Sequence, residues 1–142
     1  MKPVGELLKK HDGTLWHVRP TDTVFAALQT LASRDAGALL VMDGDRLVGV
    51  FSERDYTRKI SLQGRNSKET VVSEIMTSDV FTVSKRTRTC DCMALMSEKK
   101  IRHLPVLEGD TVLGMISIRD LMDDIIADHE LTIEHLNSYI HS

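Results

Sequence analysis

The chain repeats itself, and this limits its architecture more than any other feature. The segment Gly37-Ala-Leu-Leu-Val-Met-Asp-Gly-Asp-Arg-Leu-Val-Gly-Val-Phe-Ser-Glu-Arg-Asp-Tyr56 returns as Arg102-His-Leu-Pro-Val-Leu-Glu-Gly-Asp-Thr-Val-Leu-Gly-Met-Ile-Ser-Ile-Arg-Asp-Leu121. The offset is constant. Val18 matches Val83, Gly44 matches Gly109, Gly49 matches Gly114, Ser52 matches Ser117 and Asp55 matches Asp120, with no insertion between them. A fixed period of this length means one supersecondary unit used twice. Each copy, at about 60 residues, would bury its core poorly alone, so the two copies are expected to pack on each other.

Both copies read as β-α-β-β-α. Short strands are expected near residues 16–18 and 80–83. In the helix that follows, Val24, Ala27, Leu28 and Leu31 fall on one face, and Cys92, Met93 and Met96 do the same in the second copy. Two strands then flank Asp43-Gly44-Asp45, or Glu108-Gly109-Asp110, which is a hairpin signal. A last helix begins after Ser52 and after Ser117. Alternating strands and amphipathic helices give an α/β fold of small sheets covered by helices. The expected boundaries are an N-terminal extension over 1–15 with a short helix near 4–10, repeats over 16–67 and 72–127, and a helical tail over 128–142.

The element carrying chemistry is Gly-x-x-Ser-x-x-Asp, present as Gly49-Val-Phe-Ser52-Glu-Arg-Asp55 and as Gly114-Met-Ile-Ser117-Ile-Arg-Asp120. A serine between strand and helix is a good N-cap, and an acid three residues on completes a capping box. The same geometry offers unpaired N–H groups and the positive end of the helix dipole to an anion. It also sets a carboxylate where it can accept from two adjacent hydroxyls, such as a ribose presents. An arginine accompanies each copy, Arg54 and Arg119, and Arg58, Lys59, Arg65 and Lys68 gather positive charge between the repeats.

Composition removes several classes. Lys plus Arg total 18 against 21 Asp plus Glu, and aromatics are 4%, which speaks against a general nucleic-acid binder. No apolar run is long enough to span a bilayer, and no signal core opens the chain. The 2 cysteines, Cys90 and Cys92, are too close for a disulfide scaffold and suit a reducing cytoplasm. His129-Glu130 is followed by His135, which is not the His-Glu-x-x-His spacing of a zinc helix. No nucleophile elbow, Walker loop or Gly-x-Gly-x-x-Gly occurs, so no enzyme is expected.

The two Gly-x-x-Ser-x-x-Asp elements, Ile101-Arg-His-Leu-Pro-Val106 and Glu74-Ile-Met-Thr77 together resemble a stand-alone tandem CBS-domain protein. In that family two CBS motifs form one pseudo-two-fold pair, the Bateman module. The likeness spans roughly residues 16–126 and points to a subgroup of small bacterial-type CBS-pair proteins with plant organellar relatives. It implies regulatory binding of an adenosyl ligand: AMP, ADP, ATP, NAD(H) or S-adenosylmethionine. Asp55 and Asp120 would hold ribose hydroxyls, with Ser52 and Ser117 by the ribose-phosphate. Arg102, His103 and Arg119, with Arg54, would meet phosphates. Thr77, Val80 and the backbone at Ala38–Leu39 and Leu104–Pro105 would line the adenine side, in a cleft drawing on both repeats. Gly37-Ala38 stands where the second repeat has Arg102-His103, so the two sites are chemically unequal. The alternative is an interaction or assembly module without a physiological nucleotide. The resemblance also implies a homodimer packed through the helices after Asp55 and Asp120. Tyr56, Ile60, Leu121 and Ile125 would lie at its interface, reinforced by Leu131, Leu136 and Ile140 of the tail.

Overall fold

The computed structural model describes residues 2–11 and 13–141, those from 130 onward by backbone alone. The Leu131, Leu136 and Ile140 stripe therefore lies outside the described side chains. The elements follow the order α1 (Val4–Leu8), β1 (His17–Val18), α2 (Val24–Arg34), β2 (Ala38–Asp43), β3 (Arg46–Ser52), α3 (Glu53–Tyr56), β4 (Val83–Ser84), α4 (Thr89–Lys99), β5 (His103–Glu108), β6 (Thr111–Ser117) and α5 (Ile118–His141). The fold is α/β and β-α-β-β-α is used twice, as the repeat implied. The chain forms two compact units, one of residues 14–81 with 109–112 and one of the remainder.

In the first-repeat unit the sheet order is β1-β2-β3, with β1 parallel and β3 antiparallel to the central strand. β2 reads as a continuous apolar run because it is buried over Ala38–Met42. Gly44, at φ +62°, makes the hairpin turn with no side-chain penalty. α2 starts where Thr23 Oγ1 accepts from the Ala26 N–H at 3.1 Å. It buries Val24, Ala27 and Leu31 against Leu39, Val41 and Phe51. α3 passes into a π turn over Thr57–Ser61, which carries Ile60 into the same core.

The second-repeat unit repeats the sheet as β4-β5-β6. Val83 faces Val106 as Val18 faces Val41, so the register of the parallel pair is preserved in the second copy. β4 begins at Val83, later than expected. Cys92, Met96, Leu104, Val106, Ile116 and Leu121 form the core. The N-terminal extension belongs to this core: Val4 and Leu7 of α1 are buried in it.

These cores correct the expected interface. Ile60 and Leu121 are 2% and 0% exposed, so both are interior residues of their own units. Tyr56 packs against the first core. Ile125 is half-buried, and among the described residues of α5 the exposed large apolar side chains are Met122 and Ile126, at 51% and 52%.

Candidate functional site

Each repeat places its motif serine at the end of the third strand of its sheet and its motif aspartate in the first turn of the helix that follows. The corner is tied the same way twice. The Glu53 N–H donates to the Gly37 carbonyl at 3.1 Å, and the Ile118 N–H to the Arg102 carbonyl at 2.8 Å. These bonds bring the start of the central strand, at Ala38 or His103, beside the motif. Ala38 and Ser52 are also register partners across the β2–β3 ladder.

Both motifs form the capping box. The Ser52 N–H and hydroxyl both donate to Asp55 Oδ2 at 3.0 Å, while the Asp55 N–H returns a bond to Ser52 Oγ at 3.2 Å. In the second repeat the Ser117 N–H and hydroxyl donate to Asp120 Oδ2 at 2.8 and 3.2 Å, and the Asp120 N–H returns to Ser117 Oγ at 3.3 Å. One carboxylate oxygen is thus committed to the cap in each copy, and the other, Oδ1, is left to other partners.

The surroundings of the two Oδ1 oxygens differ. Asp55 Oδ1 accepts from Thr77 Oγ1 at 3.1 Å and pairs with Lys59 Nζ at 3.1 Å. Lys59 is fixed in turn by donating to the Ile75 carbonyl at 2.9 Å. With the cap, Asp55 meets four donors, about the full lone-pair capacity of a carboxylate. Asp120 Oδ1 meets His11 Nε2 at 3.3 Å. The Asp55 side chain is 9% exposed and the Asp120 side chain 27%, so the second carboxylate is the more accessible.

The remaining expected residues distribute between the units. Ala38, Leu39, Ser52, Arg54, Asp55, Thr77 and Val80 lie in the first-repeat unit, and Arg102, His103, Leu104, Pro105, Ser117, Arg119 and Asp120 in the second. Ala38, Leu39, Leu104 and Pro105 are buried, leaving backbone as their means of contact, while Arg54, Arg102 and Arg119 are exposed. Thr77 is bridged to Val50 through both of its backbone groups, and its hydroxyl is held on the Asp55 carboxylate. Of the basic cluster, Lys59 pairs with Asp55, Arg65 with Glu74, and Lys68 lies over the Phe25 ring at 4.9 Å.

Burial holds the His103 imidazole below its ordinary value. The Asp120 carboxylate pulls it upward and Arg102 adds to the depression. His103 is therefore a neutral donor or acceptor near pH 7, and the positive charge at this corner comes from arginine. The sequence places Lys59 only in the basic cluster, without its pairing to Asp55, and gives His11 no role. Lys59 stands one helical turn after Asp55, a spacing that signals an ion pair. His11 reaches Asp120 from the far end of the sequence, and no local pattern announces it. Among the described residues no cluster of His, Cys, Asp and Glu is placed to hold a metal ion, and no helix is long and apolar enough to cross a membrane.

Residues 4–62 and 72–127 each match the CBS domain, and the chain belongs to the CBS-domain family as a tandem pair. A solved CBS-domain protein of Burkholderia ambifaria MC40-6 is 46% identical, with a TM-score of 0.86, covering 89% of this chain and 96% of its own. A CBS domain protein from Pyrobaculum aerophilum, solved in complex with AMP, is 26% identical with a TM-score of 0.73, covering 83% and 88%. The mitochondrial CBS domain-containing protein CBSX3 of Arabidopsis thaliana is 37% identical over 137 residues. This chain spans 66% of that protein's length, and the match takes in 93% of this chain.

Proposed function

We propose that the chain is a regulatory module that senses an adenosyl nucleotide and acts through a partner or through self-assembly. The observation that carries this is the carboxylate set twice at a capped helix start beside the opening of the central strand, with its second oxygen outside the cap. The AMP complex of the Pyrobaculum relative supports the ligand class. In this reading Asp120 and Asp55 hold ribose hydroxyls, and Ser52 and Ser117 fix those carboxylates. Arg102 and Arg119 attract phosphate, with His103 beside them as an uncharged hydrogen-bonding group. Val80 and the backbone at Ala38–Leu39 and Leu104–Pro105 wall the adenine. AMP, ATP and NAD(H) all fit this chemistry. The groups at these corners are cap, carboxylate and arginine, and each serine hydroxyl is engaged in its cap, which suits binding.

One observation favours a structural role for part of this apparatus. Asp55 is already met by four protein donors. A diol at Asp55 must displace Thr77 or Lys59, so Asp120 is the stronger subsite. Calorimetry with AMP on Asp120→Ala and Asp55→Ala tests this. We expect the larger loss from Asp120→Ala, about 1.5–3 kcal/mol for a charged acceptor. Affinity unchanged in both variants would leave the assembly reading in its place. Exposed Met122 and Ile126 on α5 support a homodimer, and a monomer by light scattering at micromolar concentration would remove it. The free thiols of Cys90 and Cys92 suit a reducing compartment such as the cytoplasm.

A further inference from the structure

The N-terminal segment reaches two carboxylates of the second repeat. Asp55 is paired from its own helical run by Lys59. The counterpart of Lys59 in the second repeat is Asp124, so α5 opens with Asp120 and Asp124 one turn apart, a repulsive spacing for like charges. Both acids are met from residues 2–11. Lys2 Nζ lies 3.6 Å from Oδ1 of the fully buried Asp124, and His11 Nε2 lies 3.3 Å from Asp120 Oδ1.

The two ends of this segment are held unequally. Val4 and Leu7 are buried, and the Val4 and Gly5 N–H groups donate to the Thr87 and Lys85 carbonyls at 2.8 and 2.9 Å. The far end is exposed over Lys9–His11. There the Lys10 and His11 N–H groups donate only to the Leu7 and Leu8 carbonyls of the segment itself. Burial of two aliphatic side chains outweighs one exposed hydrogen bond several-fold. His11 can therefore leave Asp120 while α1 stays docked. The first repeat has no such freedom, because Thr77 is fixed in the bridge to Val50.

We propose that His11 is a latch on the second subsite: its imidazole and the ribose hydroxyls of an adenosyl ligand compete for Asp120 Oδ1, and ligand entry swings residues 9–11 aside. The latch rests on the ribose reading of Asp120. It gives the second subsite a means of reporting occupancy, because the released end of the segment becomes free to meet something else.

Calorimetry with AMP on the wild type, His11→Ala, His11→Gln and Asp120→Ala separates the two ideas. Removing a hydrogen-bonding side chain beside a ligand site would by itself leave AMP affinity unchanged or weaken it, so tightening is a discriminating result. We expect His11→Ala to bind AMP about two- to five-fold more tightly, the equivalent of an exposed pair. His11→Gln should fall between, and Asp120→Ala should lose most of the affinity. Amide exchange on the wild type should quicken at Lys10 and His11 on adding AMP and stay slow at Val4 and Gly5. Loss in Asp120→Ala without tightening in His11→Ala overturns the latch and spares the ribose reading. Binding indifferent to Asp120→Ala, or absent at millimolar AMP, overturns both.

Discussion

The two repeats keep one oxygen of the motif aspartate identical and rebuild the surroundings of the other. At Oδ2 both copies make the same bonds from the serine N–H and hydroxyl. At Oδ1 the first repeat supplies Thr77 and Lys59 from its own unit, whereas the second receives His11 from a segment lying outside the repeat. A duplicated cap is thus a fixed frame, and divergence is concentrated on the carboxylate oxygen outside the cap. The difference separates a carboxylate met by four donors of its own repeat and linker from one met by a histidine of an exposed N-terminal segment.

Deleting each carboxylate gives the largest contrast. Asp55→Ala strips the cap and leaves Thr77 and Lys59 without their acceptor in a nearly buried setting, which should cost about 3 kcal/mol. Asp120→Ala loses a cap in a more open site and should cost about 1 kcal/mol. Urea melts of the two variants measure both. Equal losses would show that Thr77 and Lys59 add nothing to Asp55, and the distinction between the sites would fall.

The motif glycines sharpen the same contrast. A Cβ at Gly49 would lie 2.6 Å from Met76 Sδ and 2.9 Å from the Thr77 carbonyl oxygen. A Cβ at Gly114 would meet Leu8 Cδ2 at 3.1 Å, the end of a side chain that can turn. Overpacking against backbone should make Gly49→Ala cost about 2 kcal/mol, and Gly114→Ala less than about 1 kcal/mol. Because residues 76–77 also present Thr77 to Asp55, Gly49→Ala should disturb the first carboxylate as well. Similar melting curves for the two variants would contradict the close approach.

What the sequence made legible was whatever repeats or is local. The constant offset between the copies carried the element order, the hairpins and both capping boxes, because a serine and an acid three residues apart interact within one turn. The bonds that distinguish the sites join Asp55 to Thr77 and Asp120 to His11, both far apart along the chain. Such pairs are chosen by tertiary packing, and a single histidine in an N-terminal segment has no periodicity to reveal it. The face of Ile60 and Leu121 was misread as an interface for a related reason. Helical spacing shows that a face is apolar, and it does not say which neighbour covers it. The N-terminal helix, placed outside the repeats, supplies Val4 and Leu7 to the second core.

The smallest effect is a pH dependence confined to one repeat. His103 occupies the position that Ala38 holds in the first repeat. Burial lowers its proton affinity in the fold relative to the ordinary value of 6.5, with Asp120 opposing and Arg102 assisting. Just below pH 6.5 the unfolded chain therefore binds more protons at this position than the folded chain does, and stability must rise with pH across that window. Acidifying from pH 7.5 through 6.5 and below should lower the melting temperature of the wild type more than that of His103→Ala, which gives the second repeat the first repeat's residue. The difference between the two proteins isolates the contribution of this position. Parallel pH profiles would mean that Asp120 compensates the burial of His103 in full, and the two central strands would then be electrostatically alike at this position.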